Sequence, residues 1–138
     1  MENKQLPDSL YEQAGLLEEQ HPSAFYISSA EYCKQEKFPE AAFLFYLGQL
    51  RYRYFYAANP ACKEAEDGAL LASLNEVVGT VINGWLGKHK TIWVETIEAV
   101  QAWDANHDFI FYSKQNNEEK QADISNGLNQ LLVMVKEI

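Results

Sequence analysis

The sequence predicts an all-α fold, an antiparallel helical bundle of about six helices that includes tetratricopeptide-like helix pairs. Three observations predict it. Apolar residues recur at three-four spacing along most of the chain, the period of a helix with one buried side. Alternation of the strand type is nowhere sustained. The four prolines, Pro7, Pro22, Pro39 and Pro60, stand where helices should begin or end. The 138 residues fit one domain, 1–138, and 47% hydrophobic with 22% charged residues is a globular composition. Such a chain buries roughly 68% of its unfolded surface, enough for a core without crosslinks.

The elements follow in order. Pro7-Asp8-Ser9 opens a first helix, with Ser9 and Glu12 spaced as a capping box and Leu10, Ala14 and Leu17 on one face. After His21-Pro22-Ser23 a second helix runs to about Gln35, with Phe25, Ser29, Tyr32 and Cys33 inward. Pro39 suits the first position of a third helix, Glu40 to Ala58. Its apolar residues crowd every face, the mark of a central helix. Asn59-Pro60 ends it, and Lys63 to Gly68 reads as an acidic loop. A fourth helix spans about Ala69 to Trp85, with Leu70, Leu74, Val77, Val78, Val81 and Ile82 at helical spacing. Gly87-Lys88-His89 is a turn before a fifth helix carrying Ile92, Trp93, Thr96, Ile97, Val100 and Trp103 and finishing near Asn106. Phe109 to Tyr112 has no partner strand, so Asp108 to Asn117 is expected as an extended packed loop. A last amphipathic helix covers Asp123 to Glu137 through Ile124, Leu128, Leu131, Leu132 and Val135.

Charge narrows the partner. Twenty acids against eleven bases give a formal charge of −9, the wrong sign for a nucleic-acid backbone. A basic protein suits it, because complementary fields speed encounter and suppress wrong pairings. Acidity also serves solubility alone. Met1-Glu2-Asn3-Lys4-Gln5 lacks the pattern of a signal peptide, and no run approaches a membrane span. The expected location is the cytoplasm, with no membrane contact. Cys33 and Cys62 match no metal-ligand spacing and read as reduced thiols.

Phe25 to Gly48 resembles a single tetratricopeptide repeat. Phe25, Tyr32, Phe38 and Phe45 stand at the family's aromatic positions, Glu40-Ala41 begins the second helix, and Gly48 holds a small-residue position. Ser28-Ser29 replaces the usual leucine-glycine pair, Glu36 a turn glycine, and Arg53 the closing proline. The resemblance covers about a fifth of the chain and implies stacked helix pairs and protein binding. In size, charge and helical layout the whole chain is similar to the acidic bacterial immunity proteins that neutralise secreted toxins.

No catalytic residues, metal ligands or cofactors are expected. Asp104, His107 and Asp108 cluster near a helix end, but neighbours on a helix point apart, and polar termination by Asn106 and His107 accounts for them. His21 and His89 read as exposed turn residues. Cys33 has no histidine partner at a signature spacing, and Gly79, Gly84 and Gly87 form no phosphate-binding loop. Arg51 to Tyr56 is basic and aromatic; either Tyr52, Phe55 and Tyr56 pack while Arg51 meets an acid, or the run faces a partner. Trp93 and Trp103 are expected in the core, and Trp85 at its edge. The partner-binding set is therefore Arg51, Arg53, Tyr54, Glu64, Glu66, Asp67 and Trp85. The expected function is that of an immunity protein blocking a cognate secreted toxin sterically and electrostatically. The alternatives are a secretion chaperone or helical-repeat adaptor, a purely structural subunit of a homo-oligomer, and a small metal-dependent enzyme; a homodimer is a possible assembly.

Overall fold

The computed structural model describes residues 6–58, 66–107 and 118–138, with the side chains of 66–68, 70–71 and 118–120 outside that description. Six helices occur among these residues and no strand does. They are α1 (Asp8–Leu17), α2 (Ser23–Lys34), α3 (Phe38–Ala58), α4 (Glu66–Leu86), α5 (Lys90–Asn106) and α6 (Glu118–Lys136). The predicted loop at Phe109 to Tyr112 lies outside the described residues.

Helix α3 is the axis. Every residue from Ala41 to Leu50 is buried except Gln49, so its apolar residues on all faces meet neighbours on all faces. Helix α2 runs back against it: Ser29 donates to the Ala41 carbonyl at 2.6 Å while Phe25 packs on Gly48. Helix α4 is also antiparallel, joined by Tyr46 to Asn83 at 2.7 Å and by Gln49 to Asn75 at 3.3 Å. Helix α5 runs parallel to α3, from the Trp93–Tyr46 bond to the Arg51–Asp104 pair. Helix α6 lies antiparallel along α5, linking Gln101 to Asn129 and Glu98 to Lys136.

The helix ends depart in places from the sequence expectation. Helix α1 begins at Asp8, with the Pro7 carbonyl accepting from Leu10 at 3.0 Å and no side-chain cap, so Ser9 lies inside the first turn and makes no capping box. Helix α3 begins at Phe38, one residue before Pro39 and two before Glu40, and α4 takes in Glu66 to Gly68 from the expected loop. Helix α2 closes with Glu36 at φ 59°, its amide bonding to Cys33 O while that of Lys37 bonds to Tyr32 O. This is a Schellman closure, which asks for glycine at the position Glu36 holds.

The largest correction is on α4. Val78, Ile82 and Leu86 are buried, but Val77 and Val81 face outward at 67% and 50% exposure. Gly79 explains the register: a Cβ there would lie 2.9 Å from the Phe45 ring, so this side of α4 must meet α3. The valines two residues earlier and two later, Val77 and Val81, then turn away.

Candidate functional site

Among the described residues Arg51 is the largest side chain wholly inside the protein. Its Nε donates to both oxygens of Glu18, at 2.8 and 3.0 Å, its Nη1 to Asp104 Oδ1 at 2.7 Å, and its Nη2 to the His107 carbonyl at 3.2 Å. Tyr54 sits one turn on, where its hydroxyl donates to Asp104 Oδ2 at 3.0 Å and lies 3.3 Å from Ser125 Oγ. One buried guanidinium thus ties together the end of α1, α3, the end of α5 and, through Tyr54, α6. Burial opposes its charge, but the two carboxylates outweigh burial and hold Arg51 above its ordinary range. Burial also pushes the Tyr54 phenol up to about 12, with Asp104 adding to the effect.

This cluster overturns part of the predicted binding set. Arg51 and Tyr54 are buried and committed inside the fold, so neither offers its polar head to a partner. Glu64 and the side chains of Glu66 and Asp67, also in that set, lie outside the described residues. Arg53 is exposed. Trp85 is half-buried and stacks on Phe38 and on His89, with ring centroids 5.3 and 3.8 Å apart. Trp103 is buried, and Trp93 packs on the core with its Nε1 donating to Tyr46.

The residues weighed for metal chemistry go separate ways. Asp104 turns in to Arg51, while His107 folds back on Trp103 at 3.7 Å with its Nδ1 2.8 Å from the Trp103 carbonyl. Asp108 lies outside the described residues. Among the described residues no three histidine, cysteine, aspartate or glutamate side chains gather as a metal site. Cys33 is half-buried, and burial raises its thiol, which disfavours the nucleophilic thiolate. His21 and His89 are not free turn residues. His21 Nδ1 accepts from the Ser23 amide at 3.1 Å, and His89 repeats the fold of His107, stacked on Trp85 with Nδ1 2.8 Å from its carbonyl.

Two surface arrangements were not found from sequence. The first is the outward face of α1. Leu10, Ala14 and Leu17 point in, leaving Asp8, Glu12 and Leu16 out at helical spacing, with Leu16 65% exposed and Glu19 exposed in the turn that follows the helix. No lysine or arginine occurs between Lys4 and Lys34, so no base on α1 or α2 offsets these acids until the last residue of α2. The second is a groove of about 420 Å³ between α5 and α6, floored by Leu50 of α3 and closed at one side by Asp104. The signal for both was present as periodicity, but it was polar and small rather than apolar. No described helix is long and apolar enough to cross a membrane. No family model, no curated protein and no solved structure matches this chain.

Proposed function

We propose that this chain is a protein-binding protein that neutralises a cognate basic partner, in the manner of a cytoplasmic bacterial immunity protein covering a secreted toxin. The observation that carries the reading is the outward face of α1 and the turn after it: the exposed acids Asp8, Glu12 and Glu19 around an exposed leucine, Leu16. The chain's charge of −9 adds a long-range attraction to a basic surface. Acids of this kind steer encounter, and an apolar side chain among them gives the packed contact that slows release. The α2–α3 hairpin, tight enough to need Gly48, supports the expectation of a preformed helical binding surface.

The test is co-expression with the product of the gene beside its own, read by growth and by association kinetics on the purified pair. Protection is expected from the parent chain. The triple reversal of Asp8, Glu12 and Glu19 to lysine is expected to slow association at least about tenfold at low salt and to flatten its salt dependence. Kinetics indifferent to both salt and reversal would overturn the electrostatic reading. A second reading, a chaperone for a secreted client, is favoured by one observation, the outward Val77 and Val81 of α4. Replacing both with serine distinguishes them, since client binding would fall and immunity would persist.

A further inference from the structure

The groove between α5 and α6 exists because the facing residues are small. Ala105 of α5 and Ala122 and Ser125 of α6 line it, and none reaches across. Its volume of about 420 Å³ lies in the range of ligand pockets, roughly 300–1,000 Å³. Its walls are unusual in composition. Four carboxamides line it, Gln101 from α5 with Gln121, Asn126 and Asn129 from α6, over an apolar floor of Leu50 and Leu128. The one carboxylate on the wall, Asp104, already receives Arg51 and Tyr54.

We infer that this groove binds a short extended segment of a protein partner by its backbone. Each carboxamide carries donors and an acceptor together, and a peptide unit presents one donor and one acceptor. Asp104 is already committed to Arg51 and Tyr54, so the carboxamides make up most of the polar wall that a ligand meets. The apolar floor gives a seat to one side chain of the segment. The groove also opens at small cost: the bond spanning it, Gln101 Nε2 to Asn129 Oδ1, is 3.5 Å long, beyond the usual range for such bonds. The inference rests on the protein-binding reading and adds to it a second, uncharged contact, away from the acidic face of α1.

The probe is a phage-displayed library of random linear peptides, panned on the whole chain, with enriched sequences synthesised for titration. Enrichment is expected on the parent and not on Ala122→Trp, which fills the groove from an exposed position and so spares the core. Affinity should fall roughly tenfold or more in Ala122→Trp and Ala105→Trp. It should hold in Ala102→Trp, an exposed position on the same helix that does not line the groove. In nuclear magnetic resonance spectra the side-chain amide signals of Gln101, Gln121, Asn126 and Asn129 should move with bound peptide. No enrichment, peptides indifferent to Ala122→Trp, or amide signals that move with neutral saccharides and not with peptide would each overturn the inference. A cognate protein that binds the parent and Ala122→Trp equally overturns it too, and leaves the immunity reading standing. Peptide binding with no sensitivity of any partner to the α1 reversal does the opposite.

Discussion

Arg51 Nε meets both carboxylate oxygens of Glu18, at 2.8 and 3.0 Å, in the interior of the bundle. The two residues are 33 positions apart, and Asp104, the second acid on the same guanidinium, is 53 from it. A buried ion cluster of this kind does not guarantee stability, since desolvation offsets much of the attraction. It does penalise any packing that leaves one member alone. The cluster therefore fixes which way α1 and α5 sit on α3.

Arg51→Met should cost about 3–5 kcal/mol, because it leaves two carboxylates buried without their cation. Replacing all three residues together, Glu18→Leu, Arg51→Met and Asp104→Leu, should recover most of that loss. Urea unfolding of the two variants makes the comparison. A loss below about 1 kcal/mol for Arg51→Met would mean that the acids reach water in the folded protein.

The helices were legible because their period is local; their orientations were not, because partners are distant. On α4 the sequence offers Leu74, Val77, Val78, Val81 and Ile82 as one wide apolar stripe, and period alone does not say which flank turns in. Gly79 on Phe45 and the bonds from Asn75 to Tyr26 and from Asn83 to Tyr46 decide it, leaving Val77 and Val81 outside. Arg51 stands in an aromatic run that reads equally as patch or as core, and only the acids brought to it by the fold settle the matter. The groove lacked an apolar signature altogether, since alanine, serine and carboxamides on a helix read as ordinary surface.

Close approaches give three backbone substitutions predictable signs. Gly48→Ala would place a methyl 2.8 Å from Phe25 Cβ, so it should destabilise despite alanine's better helix propensity. Gly84→Ala meets nothing within 4 Å and should stabilise by about 0.5–1 kcal/mol. Glu36→Gly should also stabilise, by up to about 1 kcal/mol, since φ 59° suits glycine. Thermal melting orders the three. Stabilisation by Gly48→Ala would show that α2 and α3 stand farther apart.

His89 and His107 should hold one neutral tautomer and His21 the other. At His89 and His107, Nδ1 faces a tryptophan carbonyl four residues back, which only accepts, so Nδ1 carries the proton. At His21, Nδ1 accepts from the Ser23 amide, so the proton sits on Nε2. Long-range proton–nitrogen correlation spectra on the neutral imidazoles read this directly. A proton on Nε2 at His89 and His107 would mean that the rings have left their tryptophans. His107→Ala should cost about 0.5–1.5 kcal/mol through the lost bond at the end of α5.

Alkaline pH should unfold the protein through its buried phenols. Burial raises Tyr11, Tyr26, Tyr46 and Tyr54 above the ordinary value of 10.0, and takes Tyr46 and Tyr54 to about 12. Tyr26 and Tyr46 also donate to Asn75 and Asn83, bonds that a phenolate cannot make, while the Trp93 indole donating to Tyr46 acts the other way. The unfolded chain ionises these residues near their ordinary value, whereas the folded chain keeps them neutral. The unfolded state therefore loses protons first, and folding weakens as pH rises from about 10 through about 12. Below about 10 the contribution is complete, so stability should be flat with respect to these groups there. Phenolate absorbance and circular dichroism, followed together, should show an early phase with helix intact, then a late phase that coincides with helix loss. Tyr46→Phe should reduce the late phase by one residue. Complete ionisation near pH 10 with the helices unchanged would show that water already reaches the hydroxyls, and that the tyrosines of α3 lie at the surface rather than among its neighbours.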